Sequence, residues 1–141
     1  MVSEIFVDTA AWAALADPQD SFHTNAGVIY KDFVRQRQRL ITTNLIISET
    51  YTFIHRRMNH RAAVKFLTDI KGMSRLTKLY STERLETQAE EILRLYSDQD
   101  FSFADAVSFA VMREQGITTV FSSDHHFLIA GFTLAQASGR S

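Results

Sequence analysis

Short apolar runs, too brief to be helices, recur along this chain with one or two helix-length stretches between them, and this alternation constrains the fold more than any other feature. SEIFVD places Ile5 and Val7 about Phe6 and ends on a carboxylate, which predicts a short buried strand. RLITT and ITTVFSS read as further strands. RLTKLYS alternates imperfectly through Leu76, Leu79 and Tyr80, and residues 132–134 are a candidate for one more. Between them, Thr9 to Ala16 is alanine-rich and stops at Asp17-Pro18. Phe22 to about Gln38 carries Phe22, Ala26, Ile29, Tyr30 and Phe33 at helical spacing. Asn44 is the expected cap of a helix bearing Leu45, Ile46, Tyr51, Phe53 and Ile54, and another helix runs from about His60 to Gly72. Leu85, Ala89, Ile92, Leu93 and Tyr96 mark an amphipathic helix. Ser102 caps the next, Phe103 to about Gln115, which ends at Gly116.

Strands joined through helices pair in parallel by right-handed crossovers, giving an α/β sandwich with helices on both faces of a mainly parallel sheet of four or five short strands. At 141 residues one domain, 1–141, is expected, with a core large enough to support itself. The chain has no cysteine, which excludes a disulfide framework, a thiolate zinc site and a cysteine nucleophile. Its first residues lack the basic start of a signal peptide, and no run approaches the roughly 18 apolar residues of a membrane span, so a cytoplasmic protein is expected.

Ligands of such sheets bind beyond the carboxyl ends of the strands, and acids stand there. Asp8 ends the first strand and Asp124 follows the fourth. Asp105 lies in the first turn of the helix that feeds the fourth strand, and Glu49 sits on the helix after RLITT. Each has an ordinary structural explanation: Asp8 as a helix cap, Asp105 as half of a capping box, Asp124 as a turn residue. Glu49 is harder to dismiss, as one carboxylate within the apolar IISETYTFI. Gathered at one rim, two such charges about 5 Å apart repel by roughly 3 kcal/mol at an effective dielectric near 20. The cluster then requires protons or hard divalent cations with oxygen ligands, Mg²⁺ or Mn²⁺.

FVDT, NLIISET, FSFADAVSFAVM and VFSSDHHF, in this order and followed by AGF, resemble the PIN-domain ribonucleases, and most closely the VapC toxins of toxin–antitoxin pairs. The resemblance spans nearly the whole chain. It implies a PIN-like three-layer α/β/α sandwich and an Mg²⁺-dependent endoribonuclease that hydrolyses phosphodiester bonds of a structured RNA with activated water. Asp8, Glu49, Asp105 and Asp124 match the family's metal-holding quartet. Thr9 matches the hydroxyl beside the first acid, and Ser122 a small hydroxyl residue that positions the last acid or a water. Some relatives carry a further acid where this chain has His125 and His126, which leaves a second metal site open. A VapB-like antitoxin and a homodimer are the partners implied.

The net charge of −1 conceals an asymmetry: residues 1–30 carry −4, residues 31–78 carry +8, and residues 79–141 carry −5. Arg57, Arg61 and Lys65 fall at i, i+4 and i+8, so with Arg56 they form a candidate RNA-binding face if the turn near Asn59 leaves the helix unbroken. Solvated helix faces are the plainer explanation of the same charges. HRRMNHRAA is similar to VapC toxins that cut the sarcin–ricin loop of ribosomal RNA, while others cut tRNA. A housekeeping RNA-processing nuclease and a catalytically silent RNA-binding module are the competing readings, and retention of all four acids argues against the second.

Overall fold

A computed structural model describes residues 3–138, so residues 1–2 and 139–141 of the expected domain lie outside the described part. Five strands, β1 (Glu4–Val7), β2 (Arg39–Thr43), β3 (Leu76–Leu79), β4 (Thr119–Phe121) and β5 (Thr133–Leu134), form one sheet in the order β3-β2-β1-β4-β5. Every pairing is parallel, and Phe6 lies between Ile41 and Val120. The crossovers are α1 (Thr9–Ala16) and α2 (His23–Arg35), then α3 (Asn44–Arg57) and α4 (His60–Lys71), then α5 (Glu83–Leu95) and α6 (Phe103–Gln115). The short α7 (His126–Ile129) lies between β4 and β5. The strand order steps outward in one direction from β1 to β3 and resumes on the other side at β4. Right-handed crossovers therefore place α1–α4 on one face and α5–α6 on the other.

The sheet is covered on both sides, so its central strands are mainly apolar: Phe6, Val7, Val120 and Phe121 are fully buried. Phe33 of α2 meets Phe121 edge-on at 5.3 Å, and Phe109 of α6 meets Phe127 at 5.1 Å. Ser102 and Asp105 complete the expected capping box, and Gly116 ends α6 at φ 70°. No helix of the described residues is long and apolar enough to cross a membrane.

Three expectations change. The side chain of Thr43, not Asn44, caps α3 by accepting from the Ile46 amide; Asn44 is already helical, and its Oδ1 accepts from the Ser81 amide at 2.8 Å. The second helix stops at Arg35, because Arg37 turns left-handed (φ 55°) and the Gln38 amide bonds back to the Phe33 carbonyl. The segment bearing Arg57, Arg61 and Lys65 is not one helix. Met58 leaves helical geometry and Asn59 caps α4, accepting from the Ala62 amide at 2.8 Å, so the three cations belong to two helices rather than one face.

Candidate metal centre

β1 and β4 are neighbours where the strand order reverses, the crevice in which open parallel sheets bind ligands. Asp8 emerges directly from β1, and its amide donates to the Phe121 carbonyl of β4 at 3.1 Å. Its side chain caps α1, accepting from the Ala10 amide at 3.5 Å, and is 3 % exposed. Burial pushes this carboxyl up to about 7; the Ser122 hydrogen bond opposes the rise, and the neighbouring Asp105 and Asp124 charges add to it.

The other acids converge from separate elements. Asp8, Glu49, Asp105 and Asp124 line one cleft of about 270 Å³, together with Thr9, Ala10, Ala13, Asp20, Phe53 and Ser123. The Thr9 hydroxyl donates to Glu49 Oε1 at 2.9 Å, joining the start of α1 to α3. Burial raises the Glu49 carboxyl, opposed by this bond and reinforced by Asp105 and Asp124. Asp105 accepts from the Ser102 amide at 3.0 Å within the capping box. Burial raises it as well, while the bonds from Ser102 and His126 hold it down.

Ser122 serves two acids at once. Its hydroxyl donates to Asp8 Oδ2 at 2.8 Å and accepts from the Asp124 amide at 2.9 Å. The carboxylate it orients is thus that of Asp8 rather than Asp124, whose backbone alone it contacts. Asp124 Oδ1 in turn accepts from the His126 amide at 2.9 Å and folds the chain into α7.

Sequence reasoning did not separate His126 from His125 and gave Asp20 and Phe53 no place at the site. His126 Nδ1 stands 3.0 Å from Asp105 Oδ2 and 3.5 Å from Asp124 Oδ1, so His126 belongs to the cluster, whereas His125 is exposed. The Asp-His-His sequence was the available signal: an Asp that turns the chain on its own side chain directs the residue two positions on back toward the acids. Asp20 and Phe53 line the cleft too, and neither carries a motif that marks it.

The donor set fits a hard divalent cation. One oxygen each of Asp105 and Asp124 and one nitrogen of His126 lie within 4.8 Å of one another, and Asp8 and Glu49 share the cleft. Among the described residues no Lys or Arg nitrogen lies within 4.0 Å of any of the four carboxylates. Burial is the main cause of the raised Asp8, Glu49 and Asp105 carboxyls, and the charges of the neighbouring acids add to it.

The candidate RNA-binding residues stand outside the cleft. Arg57 lies 3.8 Å from Asp17 Oδ2, and Lys65 pairs with Asp69 at 2.8 Å. Arg56 and Arg61 are exposed and have no acidic partner within 4.0 Å among the described residues.

The PIN-domain profile matches residues 5–132. The 23S rRNA-specific endonuclease VapC20 of Mycobacterium tuberculosis, matched from two strains, is 38% identical over 128 residues, covering 91% of this chain and 95% of that one. The crystal structure of the M. tuberculosis VapC20, described as a sarcin–ricin loop cleaving toxin, superposes with a TM-score of 0.82 over 92% of this chain and 96% of its own. FitAcB of Neisseria gonorrhoeae (TM-score 0.64, 12% identity, 94% and 97% coverage) has the same fold. So does VapBC2 of Rickettsia felis bound to a promoter DNA fragment (0.66, 10%, 93% and 96%).

Proposed function

The chain belongs to the PIN-domain family, and from that membership we propose that it is an Mg²⁺-dependent endoribonuclease, the toxin of a toxin–antitoxin pair, which cuts the sarcin–ricin loop of 23S rRNA. One observation carries the reading: four carboxylates from four separate elements share one cleft, and among the described residues no Lys or Arg pairs with them. The RNA target rests on similarity to VapC20, at 38% identity over 91% of the chain.

Asp8, Glu49, Asp105 and Asp124 would hold the ion, with Mn²⁺ able to substitute. When bound, a divalent cation supplies Lewis-acid chemistry, offsetting charge on the phosphoryl oxygens and making water acidic enough to attack at neutral pH. The protein's part is to aim and support the carboxylates. Ser122 fixes the Asp8 carboxylate, Thr9 fixes that of Glu49, and the Ser102 amide with His126 fixes that of Asp105. Each donor favours the ionised form that a cation needs and so works against burial, which favours the protonated one. No side-chain nucleophile is required.

Arg56, Arg57 and Arg61, at the corner between α3 and α4, are the cations proposed to contact RNA phosphates; Lys65, held by Asp69, contributes less. A VapB-like antitoxin, a homodimeric state, a cytoplasmic location and a single domain over 1–141 complete the proposal. Mapping new RNA 5′ ends after brief expression tests it. One dominant cut in the sarcin–ricin loop is expected, absent with Asp8→Asn. An unchanged RNA population would overturn the assignment.

A further inference from the structure

Glu49, Phe53 and Arg57 occupy positions i, i+4 and i+8 of α3 and so form one stripe, successive members about 6 Å apart along the axis. Glu49 and Phe53 both line the acidic cleft. The Arg57 guanidinium carbon stands 5.6 Å from the centre of the Phe53 ring. Phe53 is 37 % exposed, while the adjacent Ile54 is 1 % exposed. A large apolar ring is thus partly exposed on the wall of a cleft lined by five carboxylates, one helical turn from a proposed metal-holding acid and one turn from a cation.

We propose that Phe53 is a nucleobase platform, on which a base next to the scissile phosphate stacks while Arg57 contacts a flanking phosphate. The inference rests on the ribonuclease reading and adds to it a subsite for a base. A flat π-face is what an exposed ring beside a phosphate-cleaving centre can accept without a dedicated hydrogen-bond pattern. The stripe therefore sets three chemistries in order along one helix: carboxylate for the cation, ring for the base, guanidinium for the backbone. Phe53 acts on the reaction by placing the bond over the acids.

The test is a binding cycle with cleavage-blocked Asp105→Asn protein and fluorescein-labelled sarcin–ricin hairpins, either intact or with one abasic nucleotide at each loop position in turn. A Phe53→Leu exchange is expected to weaken binding of the intact hairpin about tenfold, the scale of one stacked base. It should leave unchanged the affinity for the one hairpin that lacks the stacked base, because ring and base then act as a coupled pair. Phe53→Tyr should bind as the parent does. Equal weakening on every hairpin, which a merely structural role would give, overturns the platform, as does unchanged affinity for all of them. Cleavage of the intact hairpin by the wild-type protein is measured alongside. Its absence counts against the ribonuclease reading, whereas the binding cycle judges Phe53 separately.

Discussion

The hydroxyl of Ser122 donates to Oδ2 of Asp8 at 2.8 Å, across 114 positions of sequence, and the same oxygen accepts the amide of Asp124 at 2.9 Å. One small side chain thereby joins the ends of β1 and β4 at the reversal of strand order. A hydrogen bond to a charged group contributes about 1.5–3 kcal/mol, and this one aims a carboxylate as well. Ser122→Ala is expected to lower single-turnover RNA cleavage by about tenfold or more. Ser122→Thr, which keeps the hydroxyl, should retain most activity. An alanine variant as fast as wild type would remove Ser122 from the site.

Thr9 bears the same relation to Glu49 on the opposite wall. Thr9→Val preserves shape and removes the donor. Cleavage should fall about tenfold, since a bond to an ionised acceptor is lost, and Thr9→Ser should restore it. Parallel rate measurements on the two variants check this.

Acidity offers a test on the protein without RNA. Burial pushes the Asp8 carboxyl from its ordinary 3.8 up to about 7, so between these pH values the folded state binds the proton that the unfolded state has released. Asp8 by itself then lowers the stability of the metal-free protein, by on the order of 4 kcal/mol, as pH rises from about 4 to about 7. The upward shifts of Glu49 and Asp105 act in the same direction. Thermal melting in EDTA should show a lower Tm at pH 7.5 than at pH 5.5, and Mg²⁺ should raise the pH 7.5 value most. A Tm that rises with pH in EDTA would contradict the crowded-acid description.

Salt dependence separates the surface cations. Arg56→Ala and Arg61→Ala should each reduce the slope of log affinity against log salt by about 0.7–0.9, the range for one phosphate contact on single-stranded to duplex nucleic acid. Lys65→Ala, whose ammonium already faces Asp69 at 2.8 Å, should reduce the slope by clearly less. Identical slopes for all three variants would place the RNA elsewhere.

Much of this architecture is legible in the chain because its signals are local. Asp8 before an alanine-rich helix, Ser102 with Asp105, and Gly116 at a helix end each act within a few residues, and β2 coincides with RLITT. The exchange of Thr43 for Asn44 as a cap shows the limit: two adjacent capping residues compete, and the tertiary bond from Ser81 draws Asn44 away. The break at Met58–Asn59 interrupts a charge spacing that continues across it, so the spacing alone could not reveal two helices. The four-residue α7 is too short for any periodicity, yet it is what swings His126 onto Asp105. Asp20 and Phe53 reach the cleft only through the packing of the whole domain.

Titration calorimetry of Mn²⁺ into the purified, metal-free protein tests most directly whether the four acids form a cation site. Saturable binding to wild type is expected, and its loss in both Asp8→Asn and Asp105→Asn variants that melt at or above the wild-type temperature. Absence of binding to wild type, or equal binding to all three proteins, would contradict it.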